Sequence, residues 1–496
     1  MINNIMMKKI IYLMIIILLG SCSDFLDEQP ISNISVGSFY ETEKQFEEAV
    51  NGAYKTLHRV YNGEGGRGAV SNFSELRSDN STYQYNPYHQ GWYEVWDIDR
   101  FLVISSNQAV RWTWNTTYEG IGACNNVLHF IEDADFDKKN RFKAEVMFLR
   151  ALYYFHLVKN FGDVPLVTTK VESMEDAFAL NKRTSKELIY ELIESDLNFA
   201  KGNLPLNYTG NDVGRVTKGA AQTLLAKVLM YEGKYLEAIP ELRDVVNSNQ
   251  YILLDDYSSV FDINNKNNQE IIFSVQYMEG QFGLQSVFMY NFLPYNIGRD
   301  HLPFENGQTN GINIPTQDLI NSFEVNDIRL NMIDTSFVFK DHKDNGVYND
   351  SIVPFTLKFN DMDHSQRLNT GTNFIVLRYP HVLLKLAECY LREGGGDPLP
   401  LVNQVRNRAG LNPLSNVSLN DIIHERRVEF HCEDDRWDVL VRTGKVQEVM
   451  TTHGKRENER RNDFSEDSFK EINILLPIPS TVIEIDPSIS QNPEYL

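Results

Sequence analysis

The chain has 496 residues, 42% hydrophobic and 23% charged, a balance that suits a folded soluble body and excludes a disordered one. Lys and Arg number 47 against 68 Asp and Glu; the net charge of −21 argues against nucleic acid, whose binding draws affinity from neutralised phosphates. Four Cys without a CxxC pair exclude a disulfide scaffold or an obvious zinc module, and the length calls for subdomains or a repeat array.

Lys8 and Lys9 precede an apolar run, residues 10–20, which is shorter than the ~20 residues of a bilayer span and fits the core of a secretory signal. Gly20 and Ser21, small residues at its end, stand directly before Cys22. That pattern is a lipobox. Residues 1–21 read as a lipoprotein signal peptide, Cys22 as the lipidated amino end, and 22–38 as a polar tether. Each buried CH₂ is worth ~0.8 kcal/mol, so two or three acyl chains hold such a protein almost permanently. Cys124, Cys389 and Cys432 remain, an odd number that points to at least one buried free thiol.

The first helical pattern begins near Ser38, with Glu41 three residues on, and carries Phe46, Ala49, Val50, Ala53, Tyr54 and Leu57 on one face. A Gly-rich loop follows at 61–68. Residues 71–107 show no helical period and are crowded with aromatics. Helical spacing returns at 116–131 and strongly at 141–160, where Ala144, Met147, Phe148, Ala151, Leu152, Phe155 and Val158 recur before Phe161-Gly162 stops it. Val164 to Val167 is extended, because Pro165 biases its predecessor away from helix.

Two later stretches have the layout of tetratricopeptide hairpins. In the first, Ala220, Leu224, Leu225 and Val228 line one helix, Gly233 and Tyr235 make the turn, and Ala238, Ile239, Leu242 and Val245 line the second. In the other, Val382, Leu383, Leu386 and Tyr390 precede Gly394 to Gly396, and Leu401, Val402 and Val405 follow. One hairpin cannot bury its own apolar face, so the pairs must stack. Between them, residues 251–374 are rich in Asn, Asp, Gly and aromatics. The expected fold is mainly α: a tetratricopeptide-like scaffold at 39–250, carrying an aromatic loop at 71–107; a large irregular insertion of loops and short strands at 251–374; and a helical scaffold again at 375–496.

Five segments carry a resemblance. They are Cys22 to Asp27 (CSDFLD), Arg141 to Val167 (RFKAEVMFLRALYYFHLVKNFGDVPLV), Leu401 to Leu411 (LVNQVRNRAGL), Glu425 to Leu440 (ERRVEFHCEDDRWDVL), and Leu476 to Pro479 (LPIP) with Gln491 to Pro493 (QNP). In this order they resemble SusD/RagB-type outer-membrane nutrient-binding lipoproteins over essentially the whole chain. The resemblance implies a non-catalytic, lipid-anchored protein of the outer membrane, facing the cell exterior. It implies capture of an oligosaccharide, and its delivery to a SusC-type TonB-dependent transporter. Asp24 and Asp27 look like the family's surface-export signal. The alternatives are the peptide-binding branch of the same family and a surface glycosidase.

Aromatics concentrate in two places. Residues 73–101 hold eight, among them Tyr83, Trp92, Tyr93 and Trp96; residues 277–304 hold Tyr277, Phe282, Phe288, Tyr290, Phe292, Tyr295 and Phe304. Ring faces cover the apolar face of a pyranose, while carboxylates and amides bind its hydroxyls. The candidate glycan-binding residues are therefore Asp79, Asn80, Tyr83, Trp92, Trp96, Tyr290, Tyr295 and Arg299. Trp92 and Trp96 are four positions apart, so a helical turn would place both on one face. Trp112 and Trp114, beside a scaffold helix, read as core. The mixed-charge run 425–438 reads as ion pairs at helix ends fixing the last helices. No metal and no cofactor is expected; the Asp/Asn stretch 262–268 offers oxygens for a structural Ca²⁺ but lacks EF-hand spacing. No GxSxG, HExxH or phosphate-loop motif occurs.

Overall fold

A computed structural model describes residues 39–63, 65–84, 92–280, 283–295, 297, 302, 309–342, 348–460 and 467–496. The first long helix, α1 (Glu43–Asn62), opens on a capping box: Gln45 N–H donates to Thr42 Oγ1, and the Gln45 side chain accepts from Thr42 N–H. The helix thus starts later than Ser38, which lies outside the described residues. After α2 (Asn72–Glu75), β1 (Ser81–Thr82) and α3 (Tyr93–Asp99) come α4 (Gln108–Ile131) and α5 (Lys139–Phe161). α4 begins two turns before the apolar spacing indicates, because Asn107 Oδ1 accepts from Ala109 and Val110 N–H and caps it.

α5 is buried on nearly every side, from Phe142 to Phe161, as a helix at the centre of a bundle must be. Gly120 of α4 permits the approach of Tyr153 of α5; a Cβ at Gly120 would stand 2.5 Å from that ring. The Tyr153 hydroxyl donates to Ala53 O of α1 at 2.9 Å, tying three helices together. Gly162, at φ 71°, ends α5, and its N–H returns to Val158 O.

The chain continues through β2 (Val164–Pro165), α6 (Met174–Leu180) and β3 (Arg183–Thr184), which pairs with β2, to α7 (Lys186–Asn203). α7 has only a narrow apolar stripe of Ile189, Ile193, Leu197 and Ala200, and it was not among the expected elements. Arg150 of α5 binds Asp196 of α7 through two contacts of 2.8 Å. The expected hairpin is α8 (Lys218–Tyr231) and α9 (Tyr235–Asn247), turning at Gly233 with φ 77°.

Residues after α9 form β4 (Ile271–Val275), α10 (Phe288–Phe292), β5 (Ile314–Pro315), α11 (Gln317–Ile320), β6 (Ile333–Asp334), β7 (Val338–His342), β8 (Tyr348–Ile352), β9 (Phe355–Thr356) and β10 (Phe374–Arg378). β4 and β10 pair antiparallel, from Phe374 opposite Val275 to Arg378 opposite Ile271, so the two ends of the insertion meet. β10 leads straight into α12 (Tyr379–Glu393), followed by α13 (Leu399–Arg408), α14 (Leu419–Glu429), α15 (Arg436–Arg442), α16 (Val446–Arg460) and α17 (Ser480–Ile485). α9 packs on α12 across the whole insertion, continuing a chain of neighbours α1, α4, α5, α7, α8, α9, α12, α13. The fold is thus a stacked helical array of tetratricopeptide type, mainly α, with short strands in the insertion. No described helix is long and apolar enough to cross a membrane.

A buried ion network joins the insertion to the last helices. Arg378 donates to Glu433 Oε2 at 2.7 Å, Glu270 Oε1 at 2.9 Å and the Glu429 carbonyl at 2.8 Å. Arg329 binds Asp327, Glu425 and Glu429; Arg408 binds Glu270 and Glu429. Burial pushes the Glu429 carboxyl up, but Arg408, Arg378 and Arg329 outweigh that and hold it well below the usual carboxylate range. The mixed-charge run is therefore structural, as expected, at the end of α14 and the start of α15, and it is buried there.

Candidate functional site

The two aromatic regions meet along one seam. β1 pairs antiparallel with β5, Ser81 opposite Pro315 and Thr82 opposite Ile314. Beyond it, Gln84 N–H donates to Gly311 O at 2.8 Å, and Tyr295 N–H donates to Gln84 Oε1 at 2.7 Å. Gly311, at φ 64°, has no room for a side chain; a Cβ would lie 2.7 Å from that of Gln84. The Gly-rich loop joins from the other side. Gly66 lies against the Asn291 amide of α10, and the Arg67 guanidinium sits 4.9 Å over the Trp92 ring.

Trp92 is the N-cap of α3, and Trp96 N–H donates to its carbonyl at 3.1 Å, so the two indoles are one turn apart. Both are partly buried; Tyr93 between them is 57% exposed. The Arg100 guanidinium is 3.4 Å from the Trp96 ring centre, and Arg67 is held near Glu94 at 3.5 Å. Tyr295 is partly buried at the seam. The structure thus leaves Trp92, Tyr93 and Trp96 of the aromatic loop and Tyr295 of the insertion at least partly exposed, with the Gly-rich loop touching both Trp92 and Asn291.

Four other candidates belong to the interior. Asp79 accepts from Arg436 Nε at 2.7 Å and Nη2 at 3.0 Å, and pairs with Arg427 at 2.9 Å. Burial raises its carboxyl, but Arg436 and Arg427 prevail and hold it well below the ordinary range. Asn80 Oδ1 accepts from Arg427 Nε at 2.8 Å. Tyr83 is in the main core, and Tyr290 lies in a smaller one beside Met289, Leu293 and Phe355, its hydroxyl 2.6 Å from His364 Nε2. The Asp79 carboxylate and the Asn80 amide oxygen are therefore engaged by arginines in the interior. Their partners stand about 350 positions away in sequence, which no local pattern reveals. Cys22, Tyr85, Tyr88, Phe282, Arg299 and Phe304 lie outside the described residues.

Trp114 is core, 5% exposed. Trp112, read as core, is instead partly buried near the Gly-rich loop, with Arg59 5.4 Å from its ring and Gly68 tight against it. The three Cys beyond residue 22 are free and buried, and burial raises each thiol; Cys389 is pushed up to about 12. His431 keeps Nδ1 on the Val428 carbonyl at 2.9 Å. In the 262–268 stretch, Asp262 caps Asn264 N–H at 2.8 Å and Asn268 Nδ2 donates to Val260 and Asn265 carbonyls, so these oxygens and amides stitch their own loop. No group of three or more His, Cys, Asp or Glu among the described residues is placed to hold a metal.

Residues 24–230 match a family model described as starch-binding associating with outer membrane, and residues 337–495 match the model described as SusD family. SusD-like protein P25 of Formosa agariphila is 27% identical over 97% of each chain. A solved structure titled laminarin binding SusD-like protein superposes with TM-score 0.76 at 27% identity, over 92% of this chain and all of that one. Surface glycan-binding protein A from Bacteroides thetaiotaomicron, in complex with laminarihexaose, shares the fold at TM-score 0.75 and 24% identity, over 91% of this chain and 99% of that one. Two family models matched in order and relatives aligned end to end on a common helical array lead to one conclusion: the chain belongs to the SusD family.

Proposed function

We propose that this protein is a non-catalytic surface lipoprotein that binds oligosaccharide and delivers it to a SusC-type TonB-dependent transporter in the outer membrane. The observation that carries the reading is the seam between the two aromatic segments, which ties Gln84 to Tyr295 while Trp92, Tyr93 and Trp96 of the adjoining stretch stay at least partly exposed. Partly exposed rings one helical turn apart offer flat apolar faces to pyranose C–H groups, and the neighbouring Arg67 and Gln84 offer hydrogen bonds to hydroxyls. The family membership and the solved relative titled as laminarin binding support a glycan as cargo. Lipidation at Cys22 and an outward-facing position complete the proposal.

Affinity electrophoresis against laminarin, starch and other polysaccharides, with a peptide panel beside them, tests the cargo. Trp92→Ala and Trp96→Ala are each expected to weaken glycan binding about tenfold in protein that stays folded by circular dichroism. Retention of peptides but of no polysaccharide overturns the glycan reading in favour of a peptide carrier. Sustained release of reducing sugar overturns the non-catalytic one. Mass spectrometry of the native membrane form is expected to find a diacylglyceryl group on Cys22, and Cys22→Ser to leave the membrane fraction.

A further inference from the structure

A groove lies where the helical array meets the start of the insertion, lined by none of the seam residues. It is bounded by the loop from α7 to α8, by Gln250 and Tyr251 after α9, and by β4 with the residues before it. Its volume is about 270 Å³, and its lining includes Asn207, Tyr208, Gln250, Tyr251, Asn267 and Gln269. None of these belongs to the aromatic loop or to the seam strands.

The lining is rigid and nearly free of net charge. Asn207 Nδ2 donates to Gln250 Oε1 at 3.1 Å; Asn267 exchanges bonds of 2.8 and 2.9 Å with Gln276. Tyr251 lies against Gly219, where a Cβ would come within 2.7 Å of its ring, and its hydroxyl shares a hydrogen with Thr217 at 2.9 Å. Arg141, 5.0 Å away, backs the Tyr208 ring. The one charged lining residue, Arg215, is neutralised by Glu145 at 2.9 Å, Asp212 at 2.7 Å and Glu47 at 3.3 Å. No carboxylate lines the groove.

This chemistry selects its ligand. An anion finds its only cation already paired, and a cation finds no carboxylate. The exposed amides of Asn207 and Gln269 offer donors and acceptors to hydroxyls, and two tyrosine rings offer apolar faces to C–H groups. The volume, just under the range of drug-sized pockets, admits a short stretch of sugar and not a folded chain. We propose that this groove is a second carbohydrate site, taking a neutral oligosaccharide. The inference rests on the reading of the protein as a glycan binder and adds to it a contact through residues outside the seam. Two sites on one rigid body raise the avidity for a polymer without any change at either site.

The test is native mass spectrometry with calorimetry on the full mature protein, with laminarihexaose and maltoheptaose as probes. Two molecules of one probe are expected per protein. Tyr208→Ala combined with Gln250→Ala is expected to leave one, and Trp92→Ala combined with Trp96→Ala to leave the other. Gln269→Ala, at an exposed position, is expected to weaken the groove at least threefold without affecting folding. A single bound molecule that responds to the tryptophan variants and not to the groove variants overturns the second site and leaves the first intact. A single molecule that responds only to the groove variants upholds the groove and overturns the seam. Binding of neither probe overturns both.

Discussion

Glu75 is 1% exposed, and one of its oxygens accepts from Asp434 N–H. Burial and the neighbouring Asp434 carboxyl push it up to about 8, so the folded protein keeps it protonated at neutral pH. The unfolded chain releases that proton near the ordinary value of 4.5, whereas the folded one holds it to about 8. Folding is therefore unpenalised below that lower value, loses stability as pH rises through the window between the two, and loses no more above it. Glu75→Gln imitates the protonated form; it is expected to raise the melting temperature at pH 8.5 and change it little at pH 4.5, a slope that differential scanning calorimetry reads directly. Residue roles of this kind were the least legible in the sequence. Asp79 and Asn80 sit among aromatics and look like sugar ligands, but Arg427 and Arg436 claim them in the fold. Trp112 reads as core in the sequence but is only partly buried, packed against Gly68 with Arg59 over its ring.

Helices, by contrast, were largely readable, since apolar spacing is a local property. The course of α5 and the pair α8 and α9 follow their apolar stripes closely, and Gly162 and Gly233 mark their ends. What spacing misses is a helix whose start depends on one cap. α1 begins at Thr42 through its bond with Gln45, and α4 at Asn107, two turns upstream of its cleanest pattern. Two glycines of α4 separate packing from propensity. At Gly120 an added methyl meets the Tyr153 ring, while at Gly122 nothing lies within 4 Å. Gly120→Ala is expected to destabilise the protein by about 1–3 kcal/mol through overpacking between α4 and α5. Gly122→Ala is expected to stabilise it by about 0.5–1 kcal/mol, the helix-propensity difference, with urea unfolding as the measure of both.

Across the molecule, β4 and β10 close the insertion at its base, and the arginine–glutamate network of Arg329, Arg378 and Arg408 with Glu270, Glu425, Glu429 and Glu433 joins it to the last helices. Removing one partner of such a network strands buried charges of the other sign. Arg378→Met is expected to cost about 3–5 kcal/mol in urea unfolding and to separate the insertion from the array as an earlier transition; a single unshifted transition rules out the join. The linear order of residues was enough to determine the helical class, the stacking of hairpins, the presence of an insertion and two aromatic concentrations. Each of these is written in composition or in periodicity over a few turns. Only the tertiary structure decided which rings face outward, that both concentrations meet at Gln84 and Tyr295, and that the charged run near the end is an interior clamp. Those outcomes depend on contacts between segments hundreds of residues apart, and burial, not residue type, sets whether a carboxylate or an indole is left to meet a ligand.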